Sequence, residues 1–147
     1  NADVEHSTRV AEAFMDAGVS IPWGAFFAPL NPTEGYFQTL ADAGLTHVEF
    51  GTESLSDKML AVYNKPFRSE QVFQAHRAAR EAGVYVAHYF MLGGPGEDEE
   101  TVDETLSRLS LLERSVFFFF ALFGFIRILS SMKWPLNRVN YRGTRVS

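Results

Sequence analysis

One short phrase, repeated three times, limits what this chain can fold into. It stands as Asp16-Ala17-Gly18-Val19, as Asp42-Ala43-Gly44-Leu45 and as Glu81-Ala82-Gly83-Val84. Each copy follows a helix-like apolar stripe and precedes a strand-like run. Glycine just past a helix takes the left-handed conformation that ends it, so an apolar strand can begin at once. Three such joints imply repeated αβ units, with parallel strands joined by right-handed crossovers. Start signals agree: Asn31-Pro32-Thr33-Glu34, Ser69-Glu70 and Thr101-Val102-Asp103-Glu104 each place a capping residue ahead of a helical stripe. The pattern predicts helices near residues 5–17, 32–43, 56–63, 69–82 and 98–113. It predicts strands near 21–28, 45–51, 84–92 and 116–128. Several of these strands are apolar on both faces, as in a sheet covered by helices. Four strands are too few to close a barrel. The expected fold is therefore α/β, either a small open sheet or a partial (β/α) TIM-like barrel of about four parallel strands with flanking helices.

Composition removes several classes of function. The chain has 147 residues, 46% apolar and 21% charged, with a formal net charge of -5. That is ample for one core and poor for gripping a nucleic-acid backbone, which needs clustered Lys and Arg. It has no cysteine, so it holds neither a disulfide nor a thiolate-bound metal. The histidines His6, His47, His76 and His88 have no metal-ligand spacing. The most apolar stretch, Val116 to Leu129, contains Arg127 and falls short of the roughly 18–20 residues of a membrane span. It reads as a buried strand. The polar opening Asn1-Ala2-Asp3-Val4-Glu5-His6 carries no signal-peptide pattern, and a cytoplasmic location is expected.

In parallel α/β folds, sites lie at the C-terminal ends of the strands. Side chains alternate along a strand, so His47, Glu49, Gly51 and Glu53 share one face, with Val48 and Phe50 on the other. A carboxylate on an inward face needs a partner. Glu49, the deeper one, is expected to pair with a buried His or Lys; Glu53, at the rim, is expected to meet a ligand. Glu49 and Glu53 stand roughly 13 Å apart along a strand, beyond the roughly 5–9.5 Å of a glycosidase pair. The loop Gly93-Gly94-Pro95-Gly96 is not followed by the Gly-Lys-Ser/Thr of a phosphate loop, and the acidic run Glu97 to Glu100 would repel an anion. Either a flat neutral ring lies on its backbone or it is a plain strand-to-helix turn. His76 reads as a packing or surface residue of a helix, and His88 as a mid-strand candidate to line the interior.

The run Val48-Glu49-Phe50-Gly51-Thr52-Glu53-Ser54, then Lys58-Met59-Leu60 and Asn64-Lys65-Pro66, then Phe90-Met91-Leu92-Gly93-Gly94-Pro95-Gly96-Glu97 with Thr101 and Thr105 beyond, resembles the radical S-adenosylmethionine (radical SAM) family in order and spacing. The resemblance covers about residues 19–120 and would seat Asn1 just after the third barrel strand. It has the flavour of members that carry a cobalamin-binding domain upstream, which makes cobalamin a possible cofactor held outside this chain. It implies S-adenosylmethionine as ligand along the C-terminal strand edges. It implies that Glu53, with Ser54 beside it, contacts that cofactor. It places Lys65 at the methionine carboxylate, Tyr89 near the adenosine, and Gly93, Gly94 and Pro95 near the adenine. The departures carry weight. The family's Cys-x-x-x-Cys-x-x-Cys, which ligates a 4Fe-4S cluster, is absent, as is the Gly-Gly-Glu that grips the cofactor's amino group. Beyond Phe120 the register departs too, as in a truncated or frame-shifted chain.

The expectation is a radical SAM enzyme fragment, inert by itself in reductive cleavage of the cofactor. Residues 1–128 would form the partial barrel and 129–147 a divergent, poorly ordered tail. Two other readings stand beside it: a non-catalytic half-barrel that binds an adenosine-type ligand or a protein, and a different (β/α) barrel enzyme. A small-molecule cofactor and an unidentified substrate are the expected partners. The edges are expected to meet the missing barrel strands or to self-associate.

Overall fold

The computed structural model describes residues 3–121. Helix α1 (Val4–Asp16) leads into β1 (Trp23–Phe27), and α2 (Tyr36–Asp42) into β2 (Leu45–Glu53). Helices α3 (Asp57–Val62) and α4 (Ser69–Glu81) precede β3 (Tyr85–Leu92), and α5 (Glu99–Arg108) with a single 3-10 turn precedes β4 (Ser115–Ala121). All four strands are parallel, in the spatial order β1-β2-β3-β4. Sequential order with the helices on one face is a segment of a (β/α) barrel; a doubly wound sheet would reverse its order at a switch point. The partial barrel expected from the sequence is the fold.

The three glycine joints behave as their chemistry requires. Gly18, Gly44 and Gly83 have φ of 64°, 96° and 76°. At Gly44 space is restricted as well, since a Cβ there would lie 2.7 Å from the Ile21 carbonyl oxygen. Helix α2 departs from expectation. Its Pro32 and Glu34 lie before the helix, which starts at Tyr36 behind a left-handed Gly35. Docking sets that start: Tyr36 and Phe37 are buried, and the Phe37 ring packs edge-on against Phe27 and Phe50.

Alternation divides the sheet into two faces. Val48, Phe50 and Thr52 of β2, with Val86, His88 and Phe90 of β3, are buried toward the helices. They meet Leu40, Val72, Ala75 and Ala79. His47, Glu49, Gly51 and Glu53, with Ala87, Tyr89 and Met91, lie on the other, more open face.

His88 therefore does not line the barrel interior, contrary to the sequence reading. It is fully buried on the helix side, where its Nδ1 lies 2.7 Å from the Thr52 hydroxyl and its Nε2 lies 3.1 Å from His76 Nδ1. The His76 ring also bonds to the Glu113 backbone carbonyl. A carbonyl only accepts, so the arrangement that satisfies every group runs in one direction, from Thr52 through His88 and His76 to Glu113. Burial, and then the neighbouring His76, pushes His88 down to about 3. Burial lowers His76 as well.

The buried strand expected at 116–128 is also revised over its described part. Val116, Phe118, Phe119 and Phe120 are 43–56% exposed. β4 pairs only with β3 among the described residues, and its alternate side chains face the open side. Arg127 and the expected tail at 129–147 lie outside the described residues. No helix of the described residues is long and apolar enough to cross a membrane.

Candidate functional site

The polar groups converge at the C-terminal ends of β2 and β3. β2 ends on Glu53, whose φ of 65° is left-handed, a conformation that glycine takes easily and a glutamate does not. Strain of this kind concentrates at functional positions. The turn folds the carboxylate back over Gly51, where an added Cβ would lie 3.6 Å from Oε1. Helix α3 then runs out at Asn64, also left-handed at φ 53°, and the Lys65 amide closes the turn on the Leu60 carbonyl at 2.9 Å. That turn aims Lys65 back at the strand edge. Its Nζ donates to Glu53 Oε1 at 2.8 Å, both side chains being largely shielded. An ammonium has three donors and a carboxylate two oxygens, so neither group is exhausted by this bond.

Ser54, the neighbour in sequence, is placed differently. It is buried, its hydroxyl lies 2.9 Å from Thr105 Oγ1, and it accepts the Ser56 amide at 3.0 Å. It anchors α5 and the start of α3 beneath the edge.

At the end of β3, Gly93 and Gly96 are left-handed and Pro95 occupies the turn between them. The Gly93 amide donates to the Glu97 carboxylate, which burial, more than any other influence, pushes toward its neutral form. Asp98 caps α5 through the Thr101 amide and pairs with Lys58 at 2.6 Å, tying this loop to α3. Under the loop lies Tyr63, the last residue of the α3 turn. A Cβ on Gly94 would stand 2.1 Å from its hydroxyl, so the second glycine is required for the two segments to meet.

Deeper on the open face, the Tyr89 hydroxyl donates to Glu49, and that bond holds the phenol above its usual range. His47 Nε2 stands 3.9 Å from the other Glu49 oxygen. Glu49 thus pairs with a phenol and a half-exposed imidazole, where a buried His or Lys was expected. Tyr89 stacks on Phe118 at 4.8 Å and on Phe120 at 5.9 Å, with Phe26 at 5.7 Å.

The structure thus gathers Glu53, Lys65 and the Gly93–Gly96 turn at one edge, sets Tyr89 below them on the same face, and turns Ser54 away. Sequence reasoning missed Tyr63 and the capping of Gly93 by Glu97. The only local hint was a second glycine where a turn needs one. Chemically, the edge offers a cation with spare donors, an acceptor oxygen and a flat, side-chain-free backbone. No group of three or more His, Cys, Asp or Glu among the described residues could hold a metal ion.

Comparison with known proteins follows this geometry. The family profile described as the Radical SAM superfamily matches residues 5–109. Over 63 residues, 43% of this chain, the sequence is 36% identical to the anaerobic magnesium-protoporphyrin IX monomethyl ester cyclase of Cereibacter sphaeroides. Over 89 residues, 60% of this chain, it is 28% identical to an uncharacterized methyltransferase of Pyrococcus horikoshii. These matches span only 10% and 19% of those two proteins. The fold is similar to Escherichia coli coproporphyrinogen III oxidase, a radical SAM enzyme, with a TM-score of 0.65 at 18% identity over 81% of this chain and 28% of that one. It is also similar to a radical S-adenosylmethionine methyltransferase from Kitasatospora setae with cobalamin and a 4Fe-4S cluster bound, with a TM-score of 0.64 at 21% identity over 80% of this chain and 24% of that one.

Proposed function

Because the chain belongs to the Radical SAM superfamily, we propose that it is the part of a radical S-adenosylmethionine enzyme whose β2 and β3 ends hold the S-adenosylmethionine cofactor. The observation that carries this reading is the Glu53–Lys65 pair beside a neutral glycine turn. S-adenosylmethionine has a carboxylate, a ribose diol and a flat adenine. The spare donors of Lys65 suit the carboxylate, and the second oxygen of Glu53 suits the diol. The bare backbone at Gly93 and Gly94, followed by Pro95, suits the adenine. Tyr89 lies on the same open face and would pack near the adenosine. Ser54 supports the edge from behind, through Thr105 and the Ser56 amide.

The residues fit this ligand and do not fit the cluster. The 147 residues contain no thiolate, so a 4Fe-4S cluster has no cysteine ligand among them. The electron that cleaves the cofactor must come from groups this chain does not contribute, and the chain alone is expected to bind without cleaving. Fold relatives that carry cobalamin are under 25% identical, and no described residue is assigned to it.

The test is S-adenosylmethionine binding by calorimetry. Lys65→Met and Glu53→Gln should each weaken binding about tenfold, the loss of one charge-assisted hydrogen bond. Wild-type affinity in both variants would remove the reading. Cleavage products formed by the purified chain with a chemical reductant would overturn the division between binding and electron supply.

A further inference from the structure

Two buried side-chain oxygens, Ser56 Oγ and the Tyr63 hydroxyl, make no hydrogen bond among the described residues, and the Tyr63 hydroxyl is the one that lies under the glycine turn. An unsatisfied buried hydroxyl is costly, and such groups call for an explanation. It lies against the bare Cα of Gly94. In the same turn the Glu97 side chain reaches back to the Gly93 amide, the Glu97 amide bonds to the Gly94 carbonyl at 3.2 Å, and the Glu97 charge is near enough to act on the Tyr63 phenol. One idle donor, against Gly94, and one occupied carboxylate, on the Gly93 amide, therefore meet two successive glycines of the same turn. The Gly93 amide is also the backbone donor that a ligand ring lying on this turn would need, and Glu97 already holds it.

We propose that Tyr63 is a positioning residue of the ligand edge: when a ligand acceptor takes the Gly93 amide, the Glu97 carboxylate moves to the Tyr63 hydroxyl, which holds it out of the way. The inference rests on the cofactor reading above and adds a residue and an exchange of partners to it. In the free chain Glu97 occupies the place of the ligand acceptor, and Tyr63 waits unpaired. In the bound chain both donors are satisfied. The electrostatics agree: burial, then Glu97 and Glu53, raise the Tyr63 phenol, so it remains a donor.

The experiment is a double-mutant cycle on the full chain, with S-adenosylmethionine as the probe and both denaturation and calorimetry as readouts. Tyr63→Phe removes an unpaired hydroxyl, so the free chain should be as stable as wild type or more so. Its affinity should nonetheless fall about tenfold, equivalent to ~1.4 kcal/mol. Glu97→Ala removes the carboxylate that must be relocated, and in that background Tyr63→Phe should change affinity less than twofold. The Gly93 amide resonance of the wild type should shift on ligand addition. A merely structural tyrosine gives a different pattern: lower stability of the free Tyr63→Phe chain, or the same affinity loss in both backgrounds. Either result overturns the proposal, as does an unchanged affinity or a Gly93 resonance that stays put. A wild-type chain that binds no S-adenosylmethionine overturns the cofactor reading as well, whereas binding with Tyr63→Phe unaffected overturns this inference alone.

Discussion

The two faces of the sheet are built from the same strands and differ in almost everything else. On the helix side Val48, Phe50, Val86 and Phe90 are almost wholly buried, and the polar groups there, Thr52, His88 and His76, form one closed chain of hydrogen bonds. On the open side stand carboxylates, a phenol, a half-exposed imidazole and the rings of Phe26, Phe118 and Phe120. The difference teaches which residues answer to which demand. The helix side holds the fold together by burial and leaves nothing for a ligand. The open side buries less and is expected to contribute less to stability, and the Glu53–Lys65 pair there retains unused hydrogen-bonding capacity.

Substitutions at matched positions should separate the faces most sharply. Phe50→Ala removes a fully buried ring and should destabilise the chain by ~3–5 kcal/mol in urea denaturation. Phe118→Ala, on a ring 43% exposed, should change it by less than ~1 kcal/mol. Equal losses would erase the division.

Acid should find the helix side next. Both histidines there have lowered values, so below pH ~6.5 the folded chain binds fewer protons than the unfolded one. Their contribution is complete above that pH and is lost as the pH falls toward the His88 value of about 3. The slope should approach ~1.4 kcal/mol per pH unit for His88 alone. A His88→Gln variant should flatten the stability profile between pH 4 and 6, ranges set by the ordinary histidine value of ~6.5; a profile of unchanged slope would show that the buried pair is not the sensor.

Glycines offer a finer comparison. Gly44→Ala meets both a φ of 96° and the Ile21 carbonyl, and should cost ~1–3 kcal/mol in the same denaturation assay. Gly24→Ala has no positive φ to strain and meets the half-exposed His47 ring, which can give way at the expense of its exposed contacts to Thr46 and Glu49, so its effect should stay below ~1 kcal/mol. The smallest change in stability belongs to Lys65→Met. Its ion pair is partly solvated, and the loss should fall within ~1 kcal/mol while ligand binding suffers. A larger loss would make Lys65 a structural residue and blur the two faces.

Much of this division was legible in the sequence. The repeated glycine joints gave the αβ order, and strict alternation put Glu49 and Glu53 opposite Val48 and Phe50. His88 was misplaced because a histidine mid-strand reads as a site residue. Its partners, Thr52 and His76, come from other elements and only the fold brings them together. Tyr89, one residue on, necessarily faces the other way. The start of α2 was misread because Asn31-Pro32 is a sound local signal that the docking of Tyr36 and Phe37 overrides. Tyr63 left only the second glycine as a hint in the sequence, because its importance lies in a hydroxyl without a partner among the described residues and a glycine brought against it by the meeting of two loops.

The alternation along β2 also governs how a chain like this can change over evolutionary time. A substitution alters one position on one face. Deleting or inserting a single residue between Val48 and Phe50 would exchange the faces for the rest of the strand, carrying glutamate into the oily layer and phenylalanine out to the open face. Descendants can therefore drift widely in which side chains cover the open face, and so in what they recognise, while the spacing of that nine-residue strand stays frozen. Length variation is channelled instead into the loops beyond the strand ends, where a new residue shifts no register.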